Sequence, residues 1–385
     1  MGADPSRVVD AVRRYAVAVD AQVLTGPGVC SGLGAWLLLA LVAGSGPARA
    51  DDAAALEEAL GLPADEAVEA LTALLDDPHP AVAAAVARWA DAERLTEDFA
   101  AWSVPDRVED GPLPDQEGAD RWASERTDGL IERFPVQLTE LTRLVLASAL
   151  ATRISWSTPL TELEDGGLGT VGSTARHVVL DTQAAGPVGV VAPRSTSGLA
   201  VVSVIADPQV PRGQVLAAAH EAAARMTTPR APAGLEVTRD GHAWTVTEHR
   251  ETRPSFRDVI EEWTGWVPPW RLVSDHDLTT APGFGAAAAA LEAFVLPAER
   301  PADCEVRQSA VAAYTATGFE AAAVTGMAVR AAGMPQEQEV VVRRIHVRLD
   351  RPHAVVAVAL HDGSPWDRLP VFTAWVDPGE VAGSA

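Results

Sequence analysis

The sequence predicts an α+β protein. Helical periodicity dominates the first third of the chain, strand-like apolar runs dominate the rest, and no repeated strand–helix–strand unit occurs. No internal repeat or long linker divides the chain, so residues 1–385 read as a single large domain. An apolar content of 48% is ample for one core.

Asp4-Pro5 caps a first helix, with Pro in its first turn and Val8, Val12, Tyr15, Ala16 and Val19 on one face. Gly26-Pro-Gly28 breaks that helix. Gly32 to Ala43 is apolar on every side, the pattern of a fully buried helix. A short helix over 53–60 ends at Gly61. Helical patterns follow over 65–75 and 81–94, then a loop over 105–116 and an amphipathic helix over 120–134.

Strands take over at Thr142-Arg-Leu-Val-Leu-Ala-Ser-Ala-Leu-Ala-Thr152, which reads as a buried central strand. Further strands are expected over 177–182, 188–192, 199–206, 237–239, 244–248 and 270–274. Helices interrupt them over 214–226, near Asp258 and over 285–294. The strands 306–314, 340–349, 353–360 and 370–376 close the chain.

The formal charge of −23 argues against nucleic acid or an anionic membrane as partner. The chain has no Lys and no Asn, a mark of GC-rich codon usage. That excludes Schiff-base and P-loop lysines and N-glycosylation. Cys30 and Cys304 read as two buried thiols, since a lone pair makes neither a disulfide framework nor a metal spacing. The run 36–42 before Ala48-Arg-Ala50 mimics a signal peptide, but over 30 residues precede it. It is also shorter than the ~20 residues that span a bilayer. A buried helix and a cytoplasmic chain are expected.

Catalytic patterns are missing. His220-Glu221 lacks the second His of a zincin helix, and no G-x-S-x-G elbow occurs. The spacing of Gly26, Gly28 and Gly32 is wrong for a dinucleotide turn. His276, between Asp275 and Asp277, reads as part of a solvated turn. Trp263, Trp266 and Trp270 read as core or cleft packing. No enzyme activity, cofactor or metal is expected.

The unusual stretch lies between strands 306–314 and 340–349. Neighbouring strands are commonly joined by about two to five residues. Here about 20 residues intervene, and a loop of that length is usually functional or disordered. Its first part, Gly318-Phe319-Glu320-Ala321-Ala322-Ala323-Val324-Thr325, is small and apolar. As a strand it would turn Phe319, Ala321, Ala323 and Thr325 to one side and Glu320 to the other.

This octapeptide resembles the hinge of the serpins, Gly-Thr-Glu-Ala-Ala-Ala-Ala-Thr. Four further stretches are similar to that family in the same order. Trp122-Ala-Ser-Glu-Arg-Thr127-Asp-Gly129-Leu-Ile131 is similar to its Asn-x-Trp-Val-x-x-x-Thr-x-Gly-x-Ile. Thr142 to Leu160 matches its strand motif without a gap through Leu144-Val-Leu146, Ala149, Arg153, Trp156 and Pro159. Pro269 with Asp277-Leu278, and Val371-Phe372-Thr-Ala-Trp-Val376-Asp-Pro378, complete the series.

The resemblance implies a bacterial serpin-like monomer with three mostly antiparallel sheets and an exposed reactive-centre loop over about 317–339. It implies a suicide-substrate inhibitor: a serine-type protease cleaves the loop, and the hinge inserts as a new strand. Counting fourteen positions from Gly318 places the cleaved residue at Ala332, with Met334 and Arg330 as alternatives. The first two suit elastase- or subtilisin-like pockets and Arg330 a trypsin-like one. The sequence departs from the family where Cys30-Ser31-Gly32-Leu33, Asp120, Ser148 and Gln308 replace buried polar residues beneath the opening sheet, and at Ala316 and Phe319. These departures favour the other reading, a non-inhibitory carrier or scaffold for a small ligand or partner protein.

Overall fold

Asp4 opens the first helix as expected. Its carboxylate accepts the Ser6 N–H at 3.0 Å, and Pro5 occupies the first turn. The computed structural model describes residues 4–46, 49–196, 198–228, 234–299, 301–302, 304–319 and 337–381.

The elements in chain order are α1 (Pro5–Val23), β1 (Gly28–Cys30), α2 (Gly32–Ala43), α3 (Ala50–Leu60), α4 (Ala64–Asp76), β2 (Val82–Ala90), α5 (Glu97–Ala101), β3 (Glu109–Pro112) and α6 (Gln116–Arg126). Next come β4 (Leu144–Thr152), β5 (Ile154–Ser155), β6 (Thr161–Glu162), β7 (Leu168–Val171), β8 (Ala175–Thr182), β9 (Gly186–Pro193), β10 (Leu199–Ile205) and α7 (Arg212–Met226). Then follow β11 (Trp244–Pro254), β12 (Val259–Val267), β13 (Trp270–Asp277), α8 (Phe284–Glu292), β14 (Arg307–Tyr314) and β15 (Gly318–Phe319). The last are β16 (Glu337–Arg348), β17 (His353–Ala359), β18 (Pro370–Val376) and α9 (Pro378–Val381).

Four sequence expectations are corrected. Residues 82–90 form a strand, not a helix: they pair antiparallel with β4 from Val82↔Thr152 to Ala90↔Leu144 and parallel with β3. Ladders on both sides outweigh the helix propensity of alanine. The helix expected over 120–134 ends at Arg126, because Asp128 and Gly129 take positive φ and Thr127 Oγ1 accepts the Ile131 N–H at 3.0 Å. Asp258 lies in a turn before β12 rather than in a helix, and 237–239 forms no strand.

The chain folds as two compact units. The first comprises Met1–Thr152, Leu272–Val311 and Val358–Ala374, and the second Arg153–Arg271, Ala312–Ala357 and Trp375–Ala385.

In the first unit the apolar helix α2 is central and touches α1, α3, α4, α8 and β4. Trp36, Leu37, Leu39 and Leu41 are fully buried, and the Trp36 indole N–H donates to Leu60 O at 3.1 Å. A sheet of order β3-β2-β4 lies under α6, with Trp89, Trp122, Phe134 and Val145 in one cluster. The first-unit stretches of β13 and β14 pair with each other, and β1 pairs with β18.

In the second unit β8, β9 and β10 form an antiparallel meander with α7 packed on β8 and β10. A further sheet has the order β11-β16-β12-β7-β6. Its β12–β16 ladder is parallel, so the strands are not all antiparallel. Among the described residues, no helix is long and apolar enough to cross a membrane.

Candidate functional site

The first unit contains two strand edges that no other strand covers among the described residues. Among the described residues β4 is paired only with β2, and β14 only with β13. An uncovered edge is a row of backbone donors and acceptors ready to take a strand. A cavity of about 860 Å³ adjoins both edges, lined by Leu144, Leu146 and Ser148 of β4 and by Arg307, Gln308 and Ser309 of β14. Leu38 of α2, Phe134 and Leu291 of α8 add apolar walls.

A hydrogen-bonded network forms one wall of this cavity. Ser31 caps α2, its Oγ accepting the Gly34 N–H at 3.1 Å and donating to Val371 O at 2.7 Å. The Gln308 amide bonds the Ser31 backbone twice: Oε1 accepts its N–H and Nε2 donates to its O, both at 2.9 Å. Ser148 Oγ donates to Gly34 O at 3.0 Å. Gly34 permits this approach, since a Cβ there would lie 3.0 Å from Leu150 Cδ1. All these side-chain polar atoms are partnered across the cavity wall, as a half-buried network requires.

The covering segment after α6 is pinned as firmly. Asp120 Oδ1 accepts the Gln116 amide and the Phe134 N–H, both at 2.9 Å, and these bonds hold its carboxyl below the usual range. Arg143 donates to Glu299 at 2.5 Å and Arg94 to the same carboxylate at 3.0 Å, so Glu299 also stays below its ordinary value.

In the second unit the start of the unusual stretch is itself a short strand. Gly318 and Phe319 pair with Ser155 and Ile154. Trp156 anchors the preceding turn: its indole N–H donates to Thr315 O at 2.9 Å and its backbone N–H to Thr317 O at 3.0 Å. Phe319 is only 3% exposed and meets Trp270 edge-on at 6.0 Å, while Tyr314 touches both Trp156 and Trp270. Phe319→Ala should therefore destabilise the intact protein by about 3–5 kcal/mol, and Phe319→Leu by less than about 1.5 kcal/mol. Urea unfolding checks this; an Ala variant within about 1 kcal/mol of the parent would show that the aromatic cluster carries no load.

No family model matches the chain, and no curated protein matches it. Solved structures do. Tengpin, a thermophilic serpin in its native state, matches with a TM-score of 0.65 at 14% identity, over 98% of this chain and 95% of its own. The serine protease inhibitor serpin-12 of Manduca sexta matches at 0.57 and 12%, over 98% and 99%. Human thyroxine-binding globulin complexed with thyroxine matches at 0.61 and 12%, over 96% and 97%.

The chain has the serpin fold.

In this serpin fold three of the residues that depart from the family motifs are neighbours. Ser31, Ser148 and Gln308, read as substitutions scattered over the sequence, line one cavity, and Ser31–Gln308 is a direct double hydrogen bond. Ala316 contributes its backbone, accepting the Leu160 N–H at 2.7 Å, so its lost carboxylate leaves that turn intact. Glu320, Ala321, Ala322, Ala323, Val324 and Thr325 lie outside the described residues, as do Arg330, Ala332 and Met334. Glu337 to Glu339, placed in the loop from sequence, belong to β16.

Other expectations resolve individually. Cys30 is buried and burial pushes its thiol up, while Cys304 is half-buried. His276 belongs to β13 rather than a solvated turn, its Nε2–H donating to Val29 O at 2.8 Å. Trp266 donates to Asp165 and lies under the Arg348 guanidinium, while Trp270 is core. The uncovered edges and the Arg143–Glu299 clamp escaped sequence reading, because both depend on which distant strands fail or succeed in meeting.

Proposed function

We propose that this protein is a suicide-substrate inhibitor of a serine-type protease. The observation that carries this is the pair of edges on β4 and β14 left unpaired among the described residues, beside an apolar cavity and followed in the chain by a sequence with the composition of an insertable hinge. The protease's serine attacks a carbonyl in the segment 320–336 and forms an acyl-enzyme. The freed hinge then adds as a strand between β4 and β14, and the attached enzyme is distorted before water can release it. The intact fold is held by a kinetic barrier, and cleavage releases it. Ala332 is the favoured cleaved residue, with Met334 and Arg330 as alternatives, matching elastase-, subtilisin- or trypsin-like targets. The inhibitor acts as a monomer and performs no chemistry of its own.

The satisfied Ser31–Gln308–Ser148 network supports this reading, since those substitutions leave no unpaired polar group to obstruct the site. The cavity also supports a second reading. Its volume of about 860 Å³ is within the roughly 300–1,000 Å³ of small-molecule sites, which favours a carrier of an apolar ligand.

Incubation with elastase-, subtilisin- and trypsin-like proteases, followed by denaturing electrophoresis, separates the two. A covalent high-mass complex is expected. Ala323→Arg should abolish it and leave only cleaved protein, because insertion would bury the charge. Cleavage without any complex in the parent protein favours the carrier.

A further inference from the structure

Strand β4 divides its side chains between two environments. Val145, Ala147 and Ala149 are buried in the cluster with Trp89 and Trp122. Leu144, Leu146 and Ser148 alternate with them and line the cavity of the first unit. The charged side chains of that lining are already paired. Arg143 donates to Glu299 at 2.5 Å, and Arg307 donates to Glu305 at 2.8 Å and lies 3.6 Å from Asp277. Glu292 accepts the Ala302 N–H at 3.2 Å. Among the described residues no cation of the lining is left without a carboxylate. An anionic ligand would therefore bring its charge into an apolar space that offers no counter-charge.

The same ion pair marks the mouth of the cavity. Leu141 and Pro301 line the cavity and are exposed, Leu141 by 81%, so solvent reaches it between the turn 139–142 and the segment after Glu299. The turn is tied at its start, where the Leu138 N–H donates to Gln116 Oε1 at 2.9 Å. Within the turn the Thr142 N–H donates to Thr139 O at 3.0 Å and the Leu141 N–H to Thr139 Oγ1 at 3.2 Å. Arg143 ties it across the mouth. Its guanidinium donates to Glu140 O at 2.7 Å on the turn and to the Glu299 carboxylate on the opposite side, where Arg94 holds the same carboxylate at 3.0 Å.

We propose that this cavity takes an uncharged, apolar small molecule and that the Arg143–Glu299 pair is the latch on its mouth. This rests on the cavity being a ligand site, the second reading above. Opening the latch breaks one partly buried ion pair and leaves the Gln116–Leu138 bond and the β2–β4 ladder intact, so the turn 139–142 can swing alone. Leu141 at the rim gives an entering molecule its first apolar contact. A molecule seated against Leu144 and Leu146 makes no use of the ion pair. The latch therefore sets the rates of entry and exit and leaves the affinity alone.

The test uses the intact chain and two fluorescent probes that share one ring system, uncharged phenylnaphthylamine and its sulfonate, anilinonaphthalenesulfonate. Stopped-flow fluorescence gives their binding rates in the parent, Arg143→Gln and Glu299→Gln. The uncharged probe should bind at least about tenfold more tightly than the sulfonate. Both variants should raise its entry and exit rates at least about threefold and keep Kd within about twofold. Leu146→Arg should abolish binding. Should that variant not fold, amide exchange of residues 139–146 in the parent locates the probe, which should slow it at least about threefold. Parental rates in both variants overturn the latch, and equal affinity for the sulfonate overturns the uncharged class. Binding that leaves exchange of 139–146 unchanged places the probe elsewhere and overturns both. No binding by the parent or either latch variant removes the ligand-site reading itself, and the latch with it.

Discussion

Cutting the chain between Phe319 and Glu337 should raise its melting temperature by at least about 10 °C. An inserted strand would find the open edges of β4 and β14 on its two sides. About ten new ladder hydrogen bonds at a net ~1 kcal/mol each contribute roughly 10 kcal/mol. A chain of 385 residues shifts by about 1 °C per kcal/mol, from its unfolding entropy of roughly 2 cal/mol/K per residue. Small side chains such as Ala321 and Ala323 would also fill part of the 860 Å³ cavity. Calorimetry of intact and cut protein at one scan rate measures the difference, since the proposed kinetic barrier would make the intact transition depend on scan rate. No rise would mean that the edges stay uncovered, and the cavity would then stand as a ligand site. Cutting should also abolish any binding of apolar ligands at Leu144, Leu146 and Phe134, since strand and ligand need the same space.

Most of the architecture is local enough to read. Asp4-Pro5, the all-apolar run 32–43 and Gly61 each mark a helix boundary or a burial class through their own chemistry. The failures have a common cause. Val82-Ala-Ala-Ala-Val86 has helical composition, and its strand conformation comes from pairing with residues some sixty positions away. In β11 the apolar alternation stops at Val246, so the sequence predicts the strand only to Glu248; the remainder is held by charge and register against β16. The site divides in the same way. The hinge composition and the odd polar residues Ser31, Ser148 and Gln308 are visible one by one. That Gln308 fits the Ser31 backbone, or that β4 and β14 each keep an edge unpaired among the described residues, is a property of long-range pairing.

Lowering the pH from 7.5 to 4.5 should cost the folded state about 5 kcal/mol through two histidines of the second unit. His177 is buried with its Nε2 2.7 Å from Thr170 Oγ1, and burial, then the nearby His346, lowers its pKa to about 4. His353 is fully buried, its Nδ1–H donating to Arg351 O at 2.9 Å, and burial likewise lowers its pKa to about 4. Both rings are neutral in the folded protein, whereas in the unfolded chain they protonate near 6.5. The stabilisation is therefore complete above about pH 6.5 and is lost as the pH falls toward 4, where the folded rings begin to charge. Each depression of about 2.5 units corresponds to about 3 kcal/mol. The carboxylates held low by hydrogen-bonded arginines, Glu251, Glu262 and Glu299, add to the loss only at the bottom of this window, where their unfolded counterparts begin to protonate, so the loss above about pH 5 is read for the histidines. Urea unfolding at pH 7.5, 6 and 4.5 measures it, and His177→Asn should remove roughly half of the slope. A free energy of unfolding that is flat over this range would show that both rings charge as readily in the folded protein as in the unfolded chain.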